Sequence, residues 1–326
     1  MKLSLGFMAS KALLSAVELG VFSLLAQGPA DRPTLTAKLG LHPRGARDFL
    51  DTLVALDMLD RQDGIYRNTP ETDLYLDRTK PSYVGGLVEM ANARLYGFWG
   101  SLSEALRTGE LQNEAKHGED MFGALYADPD RLRGFLEAMS GLSAGSARGI
   151  AAKFDWSTRK TFVDVGTAQG VVPAALAQAH PHLRGIGFDL PQVKPVFQAF
   201  VARQGLADRV TFQAGNFFTD PLPRADVIIM GHILHDWDLD QKRMLLRKAH
   251  EALPPGGALI IFDAMIDDDR RENVASLLIS LNMLIETKGG FDYTGADCRQ
   301  WLREAGFARS HVEPLAGLDC MAVAIK

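Results

Sequence analysis

Residues 161–181 read TFVDVGTAQGVVPAALAQAHP. A short run rich in β-branched residues, TFVDV, stops at a loop holding Gly166 and Gly170, and an alanine-rich segment of helical composition follows. Strand, glycine turn and helix in that order open a parallel α/β unit, and ligands of such sheets bind beyond the carboxyl ends of the strands. Asp164, Gly166 and Gly170 therefore fall where a ligand would sit. Their spacing is GxxxG and not the GxGxxG of a dinucleotide fingerprint, so the loop needs support from later strand ends.

Downstream, the runs RGIGFD, RVTFQA, ADVIIMG and GALIIFD alternate with helical stretches. This alternation predicts parallel strands joined by crossover helices, a doubly wound Rossmann-like sheet over residues 155–326. The chain then reads RSHVEPL, a turn at Gly317 and CMAVAIK, predicted as a terminal hairpin. Upstream, residues 83–154 carry apolar positions at intervals of three and four, the period of helices. Tyr96, Phe98, Trp99, Met121, Phe122 and Met139 in this region could line an apolar pocket, although any one of them also suits plain core. Residues 33–39 and 43–59 read as two helices broken at Gly40, followed by an Asp63-Gly64 turn between extended segments. That is a winged-helix pattern, and residues 1–82 form the first expected domain.

Composition narrows the partners. With 326 residues the chain fits two domains and can bury a nucleotide-sized ligand. Its net charge of -5 gives no basic surplus for a nucleic acid, and residues 43–59 mix two arginines with three aspartates, a poor recognition helix. Lys2 precedes an apolar stretch as in a secretory signal, but Lys11 and Glu18 interrupt it, so residues 9–27 are expected as an amphipathic helix. No run spans a bilayer. Two cysteines, Cys298 and Cys320, without ligand spacing suit a reducing compartment, and a cytoplasmic protein is expected.

Further strand ends support the glycine loop. Asp189 ends the second strand, about 20 residues beyond the loop, where a carboxylate can accept hydrogen bonds from both ribose hydroxyls of an adenosine. Asn216 and Phe217 follow the third strand, where an amide and a ring could meet an adenine. His235 follows the fourth, three residues after His232 and just before Asp236.

With DVGTAQG, FDLPQV, GNFF, HILHDWDLDQKRMLLRKAHEALPPGG and GGFDYTGADCRQWLREAGF in view, nearly the whole chain resembles the plant-type small-molecule O-methyltransferases (acetylserotonin and caffeate-like) and their bacterial natural-product relatives. The HDWD segment followed by PPGG is the most specific element. The resemblance implies a winged-helix dimerisation domain before the α/β domain, a homodimer, and transfer of a methyl group from S-adenosylmethionine to a hydroxyl of a small aromatic metabolite. It implies His235 as general base, braced by Asp263 or Asp292. It implies Ser143, Gly166, Gly170, Asp189, Leu190, Asn216, Phe217 and Gly231 around the cofactor, and Phe98, Trp99, Met139, His232, Asn282 and Met283 around the acceptor. Some C-methylating relatives bind iron, but no second histidine stands near residue 287, so no metal is expected.

The chain also departs from that pattern. Thr167, Ala168 and Gln169 stand where further glycines are common, Asn216 where an acid is usual, and Gly231 where plant members often place a lysine. Asp263 and Asp292 are one methylene shorter than the corresponding glutamates. The chemistry itself suits the residues. An in-line displacement at a sulfonium methyl depends on orientation, and a histidine can take a phenolic proton near neutral pH when an acid fixes its tautomer. Other readings stay open on sequence alone: C- or N-methylation, a non-methylating use of the same cofactor, an NAD-dependent dehydrogenase, and a winged-helix regulator that senses a metabolite.

Overall fold

A computed structural model describes residues 3–80, 82–116, 126 and 128–326, with residue 130 in its backbone alone. Met121 and Phe122, two of the expected pocket residues, lie outside the described residues. The chain divides into two compact units, Met1–Gly97 and Phe98–Lys326.

In the first unit the helix expected over residues 9–27 is two helices, Gly6–Glu18 and Val21–Ala26. Gly20 between them takes φ +75°, a left-handed conformation that ends a helix at little cost only for glycine. The next helix, Arg32–Lys38, starts where the Asp31 carboxylate accepts the Thr34 N–H at 2.9 Å and Pro33 occupies the first turn. Helix Pro43–Ala55 stops four residues short of the expected Leu59, because Asp57 turns to φ +57° and a strand begins. Strands β1 (Ala30–Asp31), β2 (Leu59–Gln62) and β3 (Ile65–Asn68) pair antiparallel in the order β1-β3-β2. Asp63 and Gly64 both have positive φ, as the two-residue turn of a hairpin requires. Val17, Val21, Phe22, Leu35, Leu50 and Leu53 bury the inner faces, giving the expected winged helix.

The second unit holds a seven-stranded sheet: β4 (Thr161–Val165), β5 (Arg184–Asp189), β6 (Val210–Ala214), β7 (Val227–Gly231), β8 (Ala258–Asp263), β9 (Arg309–Pro314) and β10 (Cys320–Ile325). The order is β6-β5-β4-β7-β8-β10-β9, parallel through β8, with β10 antiparallel to β8 and β9 antiparallel to β10. Successive side chains serve opposite faces. Val163, Val165, Ile228, Met230, Leu259 and Ile261 join one core, while Phe162, Val227, Ile229, Ile260 and Phe262 join the other. Burial on both faces explains why the central strands read as unbroken apolar runs, each large side chain contributing about 1.5–3 kcal/mol. Helix Pro129–Lys153 packs on helix Val171–Ala179. Among the described residues, no helix is long and apolar enough to cross a membrane.

The strand order reverses between β4 and β7, both of which pair with each other while their crossovers run to opposite sides. At such a switch point the loops part and leave a crevice. The residues singled out on the sequence are carried to this edge: Gly166 after β4, Asp189 at the end of β5, Asn216 after β6, Gly231 to His235 at β7 and Asp263 at the end of β8.

Candidate active site

The loop after β4 is held by backbone demands. Gly166 takes φ +70° and donates its N–H to Phe188 O at 2.8 Å, and a Cβ there would lie 2.2 Å from Ile233 Cδ1. Gly170 takes φ +97° at the start of helix Val171–Ala179, and a Cβ there would strike Phe197 at 2.7 Å. Ala168 also has positive φ, +49°, which costs a residue with a side chain about 1–2 kcal/mol. That turn aims the Ala168 N–H at Asp189 Oδ2, 2.9 Å away, and the Leu190 N–H meets Oδ1 at 2.7 Å. Burial pushes the Asp189 carboxyl up to about 6, against the pull of these two donors. Burial likewise takes Asp164 up to about 7, with the neighbouring Asp189 adding to it.

His235 lies in a tight helical turn, Leu234–Asp236, just past β7, and its side chain is 11% exposed. Its Nδ1 is 3.3 Å from Asp292 Oδ1, and its Nε2 is 3.6 Å from Asp236 Oδ1. Asp292 reaches the ring because Gly289 and Gly290 let two segments touch. A Cβ on Gly290 would lie 2.5 Å from His235 O, and one on Gly289 would lie 2.8 Å from Asp238 Cβ. The glycine pair of GGFDYT thus packs on the turn of HDWD. Asp263, the other expected brace, accepts the hydroxyl of Tyr293 and is fully buried. Burial disfavours a charged His235, but the carboxylates of Asp236, Asp263 and Asp292 outweigh it and hold the imidazolium up to about 10. Lys242 is buried beneath this group, its Nζ 3.6 Å above the Phe291 ring and bonded to Trp237 O. Burial lowers it to about 8, with Asp263, Asp292 and Asp236 pulling back.

A second imidazole stands beside the first. His232 and His235 have ring centroids 5.8 Å apart, and His232 Nε2 is 3.4 Å from Asp319 Oδ2. Asp319 precedes β10, is buried, and accepts the hydroxyl of Ser146 from helix Pro129–Lys153. His232, His235 and Asp263 bring ligating atoms within 4.8 Å of one another, a set that can hold a cation. On the sequence a metal site is weighed and none is expected, for want of a second histidine near residue 287, whereas both histidines of this set come from the one strand end.

The remaining expected residues divide. Trp99 Nε1 donates to Asn282 Oδ1 at 2.9 Å, joining two pocket candidates far apart in sequence, and Met283 is buried next to Asn282 on the same helix. Phe98 and Met139 are half-buried, and Ser143 is buried one turn before Ser146. Asn216 accepts the Phe218 N–H at 2.9 Å, so the group it would offer a base is its NH2. Phe217 packs edge-on against Trp237, centroids 5.7 Å apart. Gly231 has a reason of its own: a Cβ there would lie 1.9 Å from Phe262 Cζ. The Phe262 ring fills the space a longer residue would need, which accounts for glycine in place of lysine. Asp319, Ser146 and Lys242 carried no local signal, since each reaches the group only through packing.

Residues 99–308 match the O-methyltransferase domain family, and residues 1–78 match the O-methyltransferase dimerisation domain. The chain belongs to the O-methyltransferase family. It is 48% identical over its full length, and 96% of the relative's, to the tetracenomycin polyketide synthesis 8-O-methyl transferase TcmO of Streptomyces glaucescens. It is 38% identical, over all of this chain and 95% of the relative, to the N,N-dimethyltransferase OxyT of Streptomyces rimosus. Among solved structures, human N-acetylserotonin methyltransferase in complex with S-adenosylmethionine superposes with a TM-score of 0.90 at 30% identity, covering 100% of this chain and 96% of that one. The protein is an S-adenosylmethionine-dependent O-methyltransferase of the bacterial natural-product branch. Its residues fit that molecule: the β4 loop turns through two positive-φ glycines where a Cβ would clash, and the buried Asp189 carboxylate stands beside that loop at the end of the adjacent strand β5.

Proposed function

We propose that this methyltransferase acts on a hydroxyl of a small aromatic metabolite, with His235 as general base and Asp292 as the acid that orients it. The observation that carries this reading is the 3.3 Å approach of Asp292 to His235 Nδ1 at a buried strand end. When bound, S-adenosylmethionine supplies a methyl carbon made electrophilic by its sulfonium. Asp292 keeps the Nδ1 proton in place, which leaves Nε2 to accept the hydroxyl proton, and the imidazolium so formed is stabilised by the surrounding carboxylates. Gly166, Gly170, Asp189, Leu190, Asn216 and Phe217 are the cofactor's contacts in this reading. Trp99, Asn282, Met139 and Phe98 form the acceptor wall. Transfer to nitrogen is the second reading, favoured by the likeness to OxyT. Exposed apolar side chains at Leu3, Phe7 and Met8 support a homodimer through the first unit.

Incubation with methyl-labelled S-adenosylmethionine and a panel of phenols, hydroxyquinones and aromatic amines is expected to place the label on oxygen. Mass spectra showing label only on nitrogen or carbon, or on no product, would sink the assignment. Asp189 gives a test by binding alone. Asp189→Ala should weaken affinity for S-adenosylhomocysteine about 10–100-fold, the worth of charge-assisted bonds to a ribose diol. Because the Asp189 carboxyl is raised to about 6, wild-type affinity should fall as pH drops through that value and the acceptor becomes a neutral acid. Calorimetric titration on either side of pH 6 checks both; a pH-independent affinity would remove Asp189 from the site.

A further inference from the structure

Removing one proton from one hydroxyl needs one histidine–carboxylate pair. The site holds two. His235 is backed by Asp292, and His232, 5.8 Å away between centroids, is backed by Asp319. The second pair is built at some cost. His232 sits at φ +52°, a left-handed conformation that a histidine adopts only when its surroundings impose it. Its N–H is tied to Phe262 O at 2.9 Å, and its ring stands edge-on to Phe262, centroids 5.1 Å apart. Asp319 is fixed from a third direction by the Ser146 hydroxyl and by its own N–H to Ala316 O. The His232 side chain is 9% exposed and that of Asp319 7%. The ring nitrogen beside each carboxylate, His232 Nε2 at 3.4 Å from Asp319 and His235 Nδ1 at 3.3 Å from Asp292, is buried and stands next to its acid without a formed hydrogen bond.

We propose that His232 and Asp319 form a second pair that binds a second hydroxyl of the acceptor, so that the enzyme selects aromatic rings bearing two hydroxyls on adjacent or peri carbons. The inference rests on His235 marking the place of methyl transfer. Asp319 beside Nε2 keeps the proton on that nitrogen, which leaves Nδ1 an acceptor, and an acceptor nitrogen there selects a hydroxyl over a carbonyl. Two oxygens on adjacent or peri carbons lie close enough together for one imidazole each. His232 is a positioning residue here and moves no proton.

The test compares matched probes, catechol with phenol and 1,8-dihydroxynaphthalene with 1-naphthol, by their Kd for the protein saturated with S-adenosylhomocysteine. Each dihydroxy probe is expected to bind about tenfold more tightly than its partner, the worth of one hydrogen bond to a carboxylate-backed ring. His232→Phe should bring both ratios to about one by weakening only the dihydroxy probes, and Asp319→Asn should lower them part of the way. Unchanged cofactor affinity and an unchanged melting temperature separate this from misfolding. A wild type that binds both members of a pair equally, or neither, overturns the proposal. So does a His232→Phe variant that loses both probes together, or a preference that vanishes on dialysis against EDTA, since that assigns the oxygens to a cation at His232, His235 and Asp263. His235→Gln distinguishes the two readings. It should abolish methyl transfer while the Kd ratio in the first pair of probes still depends on His232; if transfer persists, the base assignment fails even where the ratios stand.

Discussion

His235→Ala is expected to lower kcat by about 10²–10⁴, the usual worth of a positioned base, while binding of S-adenosylhomocysteine is little changed. The size follows from the surroundings of the ring: three carboxylates hold its conjugate acid up to about 10, so the imidazole takes a proton from the acceptor more strongly than a free histidine would. The same carboxylates keep the ring protonated in the free enzyme at neutral pH. The kcat/KM profile should therefore climb with pH toward about 10 and not level off near 6.5. Stability carries the opposite sign. A histidine whose folded pKa is raised stabilises the fold fully below its unfolded value and loses that contribution as pH rises through the folded one, so the cofactor-free protein should melt at lower temperature as pH approaches 10. Single-turnover rates, calorimetry and melting curves across pH check these points. Turnover retained in the alanine variant would end the assignment.

Asp292→Asn should come close to the same loss, since an amide in the place of the acid can hold the ring in the wrong tautomer, at a cost of up to about 10⁴ in kcat. It should also shift the rising limb of kcat/KM to lower pH, because one of the carboxylates that raise His235 is gone. Asp263→Asn provides the contrast. Asp263 is fully buried and bonded to the Tyr293 hydroxyl, so its replacement should lower the melting temperature as well as the rate. If Asp263→Asn costs more turnover at equal stability than Asp292→Asn, the brace is Asp263. The distance of 3.3 Å from His235 Nδ1 favours Asp292.

The fold was legible because its signals are local. The central strands of the parallel core are buried on both faces and so read as short apolar runs, and the turn after β4 is marked by glycines that take positive φ. Gly166, Asp189, Asn216 and His235 all gather on one edge of the sheet, because crossover connections return every parallel strand to the same side, but along that edge they stand in the order Asn216, Asp189, Gly166 and His235, which the chain order alone does not give. The first helix was misjudged for a local reason too: Gly20 has the apolar neighbours of a continuous helix but takes the one conformation that breaks it.

The sequence alone thus determined the sheet, the edge on which the glycine loop and the strand-end residues gather, and the histidine on that edge, since each depends on a few consecutive residues and the period of strand or helix. Tertiary structure decided which groups meet there. Asp319 comes from the turn before β10, Ser146 from a helix before the sheet, and Asp292 from a glycine pair seated on the HDWD turn. It also decided that Gly231 belongs to Phe262, whose ring fills the neighbouring strand's space. Such meetings depend on how two sheet faces, a terminal hairpin and a long helix close on one another, and no window of consecutive residues contains that.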